Sequence, residues 1–413
     1  MISCDFKFSI YFSLIFSSEN DFALSINATI ARKIKTCYNS RMKIGIDTFE
    51  CGHGRSGIGS YFSSLVQKFK NTDEITFELF GAEIDRYTYA RENNLAFESV
   101  ILPDNEKAEK FWHRFLCNHF GKKQKYDAML FPAAANVLPC RFKIPSVAVV
   151  NDIVQNLFAS KNFWERISLK HGLKKVDKII AASNFIKKDL KKIGIKQEKI
   201  VVIHNGIDHS MFYQTDMFPN DFVEINPFSV KRPYFIYSST MSSPFKRHSE
   251  LIRAFDIFKK RTGLPHRLVL AGSEGANFAE VKKTALEAEF ACDIFLTGYF
   301  PHETFPALYA GAEACLFPSE IEGVGLPVLE AMATGVPVAC SKAGALSEVA
   351  CEKAIFFDST NLEEMADAME KIATDKKLRK KLIVEGLEWA KRFSWEKTAD
   401  ETLEVLKSLE KAK

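Results

Sequence analysis

What the chain lacks narrows its class. No two of its nine cysteines stand in Cys-x-x-Cys spacing. Scattered thiols of this kind suit a reduced, cytoplasmic protein and exclude a disulfide framework. No stretch reaches the run of about 18 apolar residues that a spanning helix needs. The net charge of +4 is small for 413 residues, which argues against a nucleic-acid binder held by bulk charge. No Asp-x-Asp pair occurs to hold a metal site. His113, Cys117 and His119 lie close enough to suggest one, but Trp112, Leu116 and Phe120 recur every four residues, and an amphipathic helix face is the preferred reading.

What is present describes a soluble globular chain, 46% apolar and 26% charged. Its length calls for two domains. The Lys174-Lys175, Lys187-Lys188 and Lys191-Lys192 clusters read first as solvated helix faces, with peripheral contact to anionic lipid headgroups as the alternative. Phe8 to Phe16 is a short apolar run broken by serines, without a clean small-residue cleavage site after it. Residues 1–41 are therefore expected to be an extension outside the fold, which begins at Met42.

Met42 to Thr48 is an apolar strand, followed by a glycine-rich segment and helical spacing from Tyr61 to Phe69. Gly52, Gly54 and Gly57 formally match a dinucleotide fingerprint, with Glu78 at a suitable distance. A nicotinamide dehydrogenase is thus one reading. Further continuous apolar runs (Asp127 to Phe131, Ser146 to Val150, Lys178 to Ala182, Lys199 to His204) alternate with helical stretches such as Phe185 to Ile193, which implies a parallel, doubly wound sheet. Residues 216–232 carry prolines and read as a linker. A second series follows: strands Tyr234 to Ser238, Arg267 to Ala271, Asp293 to Thr297 and Glu313 to Phe317, with helices Glu250 to Lys260 and Phe278 to Glu289 between them.

After Phe317, Glu322 and Glu330 stand with seven residues between them, and the spacer includes Gly323, Gly325 and Pro327. Proline suits a first helical position, and Glu330 would then lie in the first turn, where the positive helix end favours a carboxylate. Such an element offers amides for phosphate oxygens and carboxylates for hydroxyls.

This stretch resembles the signature of retaining glycosyltransferases of family 4, and the likeness runs on through Gly335-Val336-Pro337 to Gly344-Ala345-Leu346-Ser347-Glu348-Val349. The resemblance implies the GT-B fold: two Rossmann-like βαβ domains (residues 42–215 and 233–390) facing across a cleft, with residues 391–413 crossing back as a helix from Phe393-Ser394-Trp395. It implies transfer of a hexose, of mannose or glucose type, from a nucleoside-diphosphate sugar to a saccharide or lipid-linked saccharide in cell-surface polysaccharide synthesis. Neither a cofactor nor a metal is implied.

By the same resemblance, Glu322 and Lys246 carry catalysis, with Asp152 on the acceptor side. Gly57, Gly59, Arg247, Gly298, Tyr299, Val324, Gly325, Leu326, Pro327 and Glu330 surround the nucleotide sugar. Lys246 would neutralise the diphosphate, Glu330 would hold the ribose and Glu322 the sugar hydroxyls. The departures are specific. Asn151 replaces the usual histidine before Asp152, and Tyr237-Ser238-Ser239-Thr240-Met241 replaces a region where family members often carry an arginine. Asn205-Gly206-Ile207-Asp208 resembles a family turn that either contacts ligand or leads the chain out of the first domain. The intact pair of glutamates and lysine argues against the remaining reading, a catalytically inactive scaffold.

Overall fold

The structure, a computed structural model, describes residues 41–410 except residues 50, 55, 91–93, 104, 134–137, 160, 216–221 and 226–227. The proposed extension lies outside the described residues. Branched and aromatic runs form two parallel sheets, as expected where helices cover both faces. The first contains β1 (Met42–Asp47), β2 (Ile75–Gly81), β3 (Ala96–Ser99), β4 (Ala128–Pro132), β5 (Ser146–Val150), β6 (Lys178–Ala181) and β7 (Ile200–Val202). Their spatial order is β3-β2-β1-β4-β5-β6-β7.

A short antiparallel hairpin, β8 (Phe222–Ile225) and β9 (Phe228–Lys231), precedes the second sheet. That sheet contains β10 (Tyr234–Ser238), β11 (Arg267–Ala271), β12 (Ile294–Gly298), β13 (Ala314–Phe317), β14 (Val338–Ser341) and β15 (Ile355–Phe357). Its order is β12-β11-β10-β13-β14-β15. The hairpin corrects the reading of residues 216–232 as a plain linker. Val223 and Val230 are buried in the second core, and a Cβ on Gly311 would lie 2.2 Å from Val223 Cγ2. Apolar alternation over so few residues is hidden among the prolines, so its strands were not legible.

Each sheet reverses direction of strand order once, at β1/β4 and at β10/β13. Crevices open at the carboxyl ends of strands at such points. The loops following β1, β10 and β13 are therefore the ones aimed at a ligand.

The last helix, Trp395–Glu410, belongs to the first core. Trp395, Val405, Leu406 and Leu409 are buried there, and the Trp395 ring meets Tyr61 edge-on at 5.5 Å. Where the chain crosses back, an isolated parallel bridge joins Ile207 and Ser394. At Gly206 a Cβ would sit 2.2 Å from the Trp395 backbone nitrogen, so only glycine admits this approach. The Asn-Gly-Ile-Asp turn is thus a packing turn at the crossing.

Helix Glu106–Phe111 continues through a π turn, Trp112–Leu116, into helix Cys117–Lys123. The wider turn shifts the helical phase. Trp112, His113 and Cys117 point inward, while Leu116 is 45% exposed, contrary to the four-residue stripe expected from sequence. His113 is occupied: Nε2 lies 2.9 Å from Asp47 Oδ2 and Nδ1 lies 2.9 Å from the Glu109 carbonyl oxygen. Among the described residues, no cluster of three or more histidine, cysteine or acidic side chains is placed to hold a metal.

Candidate active site

A cleft of about 600 Å³ lies between the two sheets. Its first wall starts from the loop after β1. Ser56 caps helix Gly57–Val66: its hydroxyl accepts from the Gly59 amide at 3.0 Å and donates to the Cys51 carbonyl at 2.8 Å. Gly57 lines the cleft, and a Cβ there would meet nothing within 4 Å. Gly59 lies beneath, where a Cβ would fall 1.9 Å from the Cys51 carbonyl oxygen. Its need for glycine is steric, and it does not line the cleft.

The same wall continues after β5. Asn151 and Asp152 line the cleft with Gln155 and Asn156 from helix Val154–Ala159. Asp152 Oδ1 accepts from the Ile153 amide at 2.7 Å and from Asn156 Nδ2 at 2.9 Å. Burial still raises the Asp152 carboxyl above the ordinary aspartate value, with nearby Glu322 adding to the effect.

The opposing wall comes from the second domain. After β10, Ser243 caps a short turn, Pro244–Lys246, and Arg247 adopts a left-handed conformation (φ 57°). That reversal separates two neighbouring cations. Lys246 enters the cleft, its Nζ 2.8 Å from Glu322 Oε2. Arg247 pairs with Glu250 at 2.7 Å and with Glu320, and it is absent from the cleft lining. Burial works most strongly against the Lys246 charge, but Glu322, Tyr237 and Asp152 together outweigh it and raise the pKa above the usual lysine value. The Tyr237 hydroxyl donates to the Lys246 carbonyl at 2.9 Å and lies 3.0 Å from Ser319 Oγ, tying the loops after β10 and β13 together.

Glu322 is fixed by its backbone. Its carbonyl accepts from the Ala345 amide at 2.8 Å, and a Cβ on Gly344 would intrude to 2.2 Å of the same oxygen. The Gly323 carbonyl accepts from Ser183 Oγ of the first domain at 2.7 Å. Val324 packs against a first-domain core. Gly325, in the left-handed region (φ 76°), opens helix Leu326–Ala333.

Two positions on that helix differ from expectation. Leu326 begins it, so Pro327 is second and Glu330 lies beyond the first turn. Pro at either early position leaves no intrahelical donor unmet, so sequence alone did not fix the phase. Glu330 is half-buried, and no hydrogen bond or ion pair reaches its carboxyl among the described residues. Burial pushes its pKa up to about 8.

Gly298 (φ 73°) ends β12 and Tyr299, 74% exposed, follows it; neither lines this cleft. Val324, Gly325, Leu326, Pro327 and Glu330 are likewise outside its lining. Thr240, from the stretch that replaces the family arginine region, lies within it, as do Ser242, Ser243, Gln155 and Asn156, which were not singled out from sequence. Their one legible signal was position, on segments just after strand ends. Glu78 is engaged elsewhere: Tyr126 donates to it at 2.6 Å and Lys43 pairs with it at 2.9 Å. It sits within β2, away from the carboxyl ends where a ribose would lie.

Family comparison decides between the readings. The profile of "Glycosyltransferase Family 4" matches residues 56–211, and that of "Glycosyl transferases group 1" matches residues 220–389. The chain belongs to the family 4 glycosyltransferases. This overturns the nicotinamide-dehydrogenase reading of Gly52, Gly54 and Gly57. The family member is 32% identical over 176 residues to an O-antigen chain mannosyltransferase B of Escherichia coli, covering 43% of this chain and 46% of that protein. It is 28% identical to a D-inositol 3-phosphate glycosyltransferase of Corynebacterium urealyticum, over 39% of this chain and 40% of that one. The matches therefore span about half the length of these curated relatives, or less. Among solved structures, sucrose-phosphate synthase from Thermosynechococcus elongatus aligns with TM-score 0.69 at 17% identity, over 90% of this chain and 100% of that one. HepE of Anabaena, in complex with UDP and glucose, aligns with TM-score 0.68 at 16% identity, over 89% and 100%. Both alignments run through both sheets, and the GT-B fold is the architecture seen here.

Proposed function

We propose that this family 4 enzyme moves a hexose, of mannose or glucose type, from a nucleoside-diphosphate sugar to a saccharide end in cell-surface polysaccharide synthesis, with retention at the anomeric carbon. The observation that carries the proposal is the Lys246–Glu322 pair, 2.8 Å apart, in the cleft between the two sheets.

When a sugar leaves a nucleoside diphosphate, negative charge grows on the phosphate oxygens. Fixed positive groups aimed at that charge lower the barrier. Lys246 is a cation at cleft pH, and the Gly325–Leu326 amides begin a helix beside it. In this scheme they serve where other enzymes use a divalent ion. Glu322 holds sugar hydroxyls and orients the ring near its oxocarbenium-like state. Glu330 takes the ribose hydroxyls. No side chain is assigned as a nucleophile on the far face of the sugar, so the departing phosphate takes the acceptor proton in a front-face displacement. Arg247 does not share the phosphate, being held by Glu250 and Glu320.

The acceptor wall supports a neutral saccharide. Asn151, Asp152, Gln155 and Asn156 offer carboxamides and one carboxylate, and among the described lining residues the only cation is Lys246. A phosphorylated acceptor would meet Asp152 without compensation. The mannosyltransferase relative fits this wall better than the inositol-phosphate one. A lipid-linked saccharide reaching the cleft from the cytoplasmic face of an anionic membrane is consistent with the same wall. Among the described residues no helix is long and apolar enough to cross a membrane.

The test is a donor-by-acceptor screen read by mass spectrometry, with and without chelator. Hexose transfer from GDP- or UDP-sugars to neutral saccharides, insensitive to chelator, is expected. Loss of turnover on chelation, or transfer only to phosphorylated acceptors, would refute the scheme.

A further inference from the structure

We propose that the outward face of helix Phe163–Lys175, with Phe111 and Phe115 beside it, seats the protein on an anionic bilayer next to the acceptor side of the cleft. The inward stripe of that helix, Leu169, Gly172 and Leu173, is buried. The outward stripe begins with Phe163 (68% exposed), Trp164 (75%) and Ile167, and ends with Lys170, Lys174 and Lys175. Large aromatics this exposed are unusual in a soluble surface, and several together mark an interaction site.

A second helix lengthens the patch. Lys110 pairs with Glu165 at 2.7 Å, and Arg114 donates to Ser168 at 2.9 Å, so the two helices lie side by side in the same direction. The π turn that draws Trp112 and Cys117 inward leaves Phe111 and Phe115 outside, 57% and 60% exposed, their rings 5.0 Å apart.

Charge selects the partner. Glu165 is the sole acid on helix Phe163–Lys175, and it is taken by Lys110. Among the described residues no acid pairs with Lys170, Lys174 or Lys175. A Cβ on Gly194 would lie 3.4 Å from Lys174 Nζ, which brings the end of helix Asn184–Lys192, with Lys191 and Lys192, against the same basic end. The Lys174-Lys175 and Lys191-Lys192 clusters thus adjoin, with Lys192 paired to Asp189 and Lys191 donating to Gln197. Aromatic rings beside unpaired lysines suit a bilayer: rings settle at the headgroup–acyl boundary while amines reach the phosphates. Protein interfaces, by contrast, are depleted in lysine.

The placement serves the cleft. Helix Val154–Ala159 lines it through Gln155 and Asn156, and only three residues of sequence separate Ala159 from Phe163. The benefit to a membrane-borne acceptor rests on the function proposed above; bilayer binding itself does not.

The full chain should therefore be floated with vesicles of phosphatidylcholine alone and with phosphatidylglycerol added. Trp112 and Trp395 are buried and Trp389 is half-buried, so Trp164 reports contact by a blue shift and by quenching with brominated lipid. Binding to the anionic vesicles is expected, weaker by tenfold or more without phosphatidylglycerol. Phe163→Ser/Trp164→Ser should lose the shift and bind at least tenfold more weakly. Lys170→Glu/Lys174→Glu should lose about fivefold or more per lysine. Hexose transfer to a water-soluble saccharide should be unchanged in both. Failure of the wild type to bind, variants that bind equally well, or a patch-dependent dimer that ignores vesicles would each overturn the proposal, whatever the transfer assay gives.

Discussion

Lys246 Nζ lies 2.8 Å from Glu322 Oε2, so each charge is clasped by the other in the free protein. In the function proposed above, a donor diphosphate would draw the ammonium away and so free the carboxylate for sugar hydroxyls. That scheme would couple donor binding to sugar orientation through a single contact.

The first prediction concerns that contact. Lys246→Ala should lower kcat by about a hundredfold to a thousandfold, the loss expected when one stabilising group is removed from developing charge. Glu322→Ala should be similarly impaired. Both side chains keep some exposure, so each variant should stay folded by circular dichroism. Wild-type-like turnover in both would rule out this site.

Glu330 gives a pH signature. Its folded pKa of about 8 stands above the ordinary glutamate value, because burial disfavours the charged form. A raised carboxyl pKa favours the fold at low pH, and that advantage is lost as pH rises toward 8. The Tm of the wild type relative to Glu330→Gln should fall from the ordinary glutamate range up to about pH 8, then level off. A pH-independent difference would show that the carboxyl is solvated.

Gly59→Ala tests the packing beneath the cleft. The added methyl would lie 1.9 Å from the Cys51 carbonyl, a backbone atom that cannot swing aside. A loss of about 1–3 kcal/mol in urea denaturation is expected from overpacking of this kind. Gly57→Ala meets open space and should leave stability near wild type while obstructing donor or acceptor.

Glu348 links the domains. It accepts from the Asn184 amide at 2.9 Å and lies 2.7 Å from His204 Nε2. Burial opposes its charge, but these partners prevail and hold its pKa below the ordinary glutamate value. The contribution is present above the ordinary glutamate range and is lost as pH falls through the depressed value. Glu348→Gln should raise the radius of gyration in small-angle scattering at neutral pH. An unchanged profile would mean that the Ser183–Gly323 contact suffices.

Much of this was readable from the residues alone. Continuous apolar runs such as Ser146 to Val150 marked the parallel strands, and the spacing of Glu322 and Glu330 located the loop after β13. Phase was harder. The π turn at Trp112 replaced Leu116 with Cys117 on the inner face, which no four-residue count foresees. Lys246 was read as the phosphate lysine with Arg247 beside it, but the left-handed backbone at Arg247 sends the first into the cleft and the second toward Glu250. Gln155 and Ser242 gave no compositional signal at all.

Helix Trp395–Glu410 completes the core of the sheet that is synthesised first. On the ribosome, the hydrophobic seat it fills beside Tyr61 stays open until the second lobe has emerged, so the core of the earlier lobe is completed only by the last helix made. A chaperone that shields that seat would act during nearly the whole of translation, and nascent chains arrested before Trp395 should be its preferred clients.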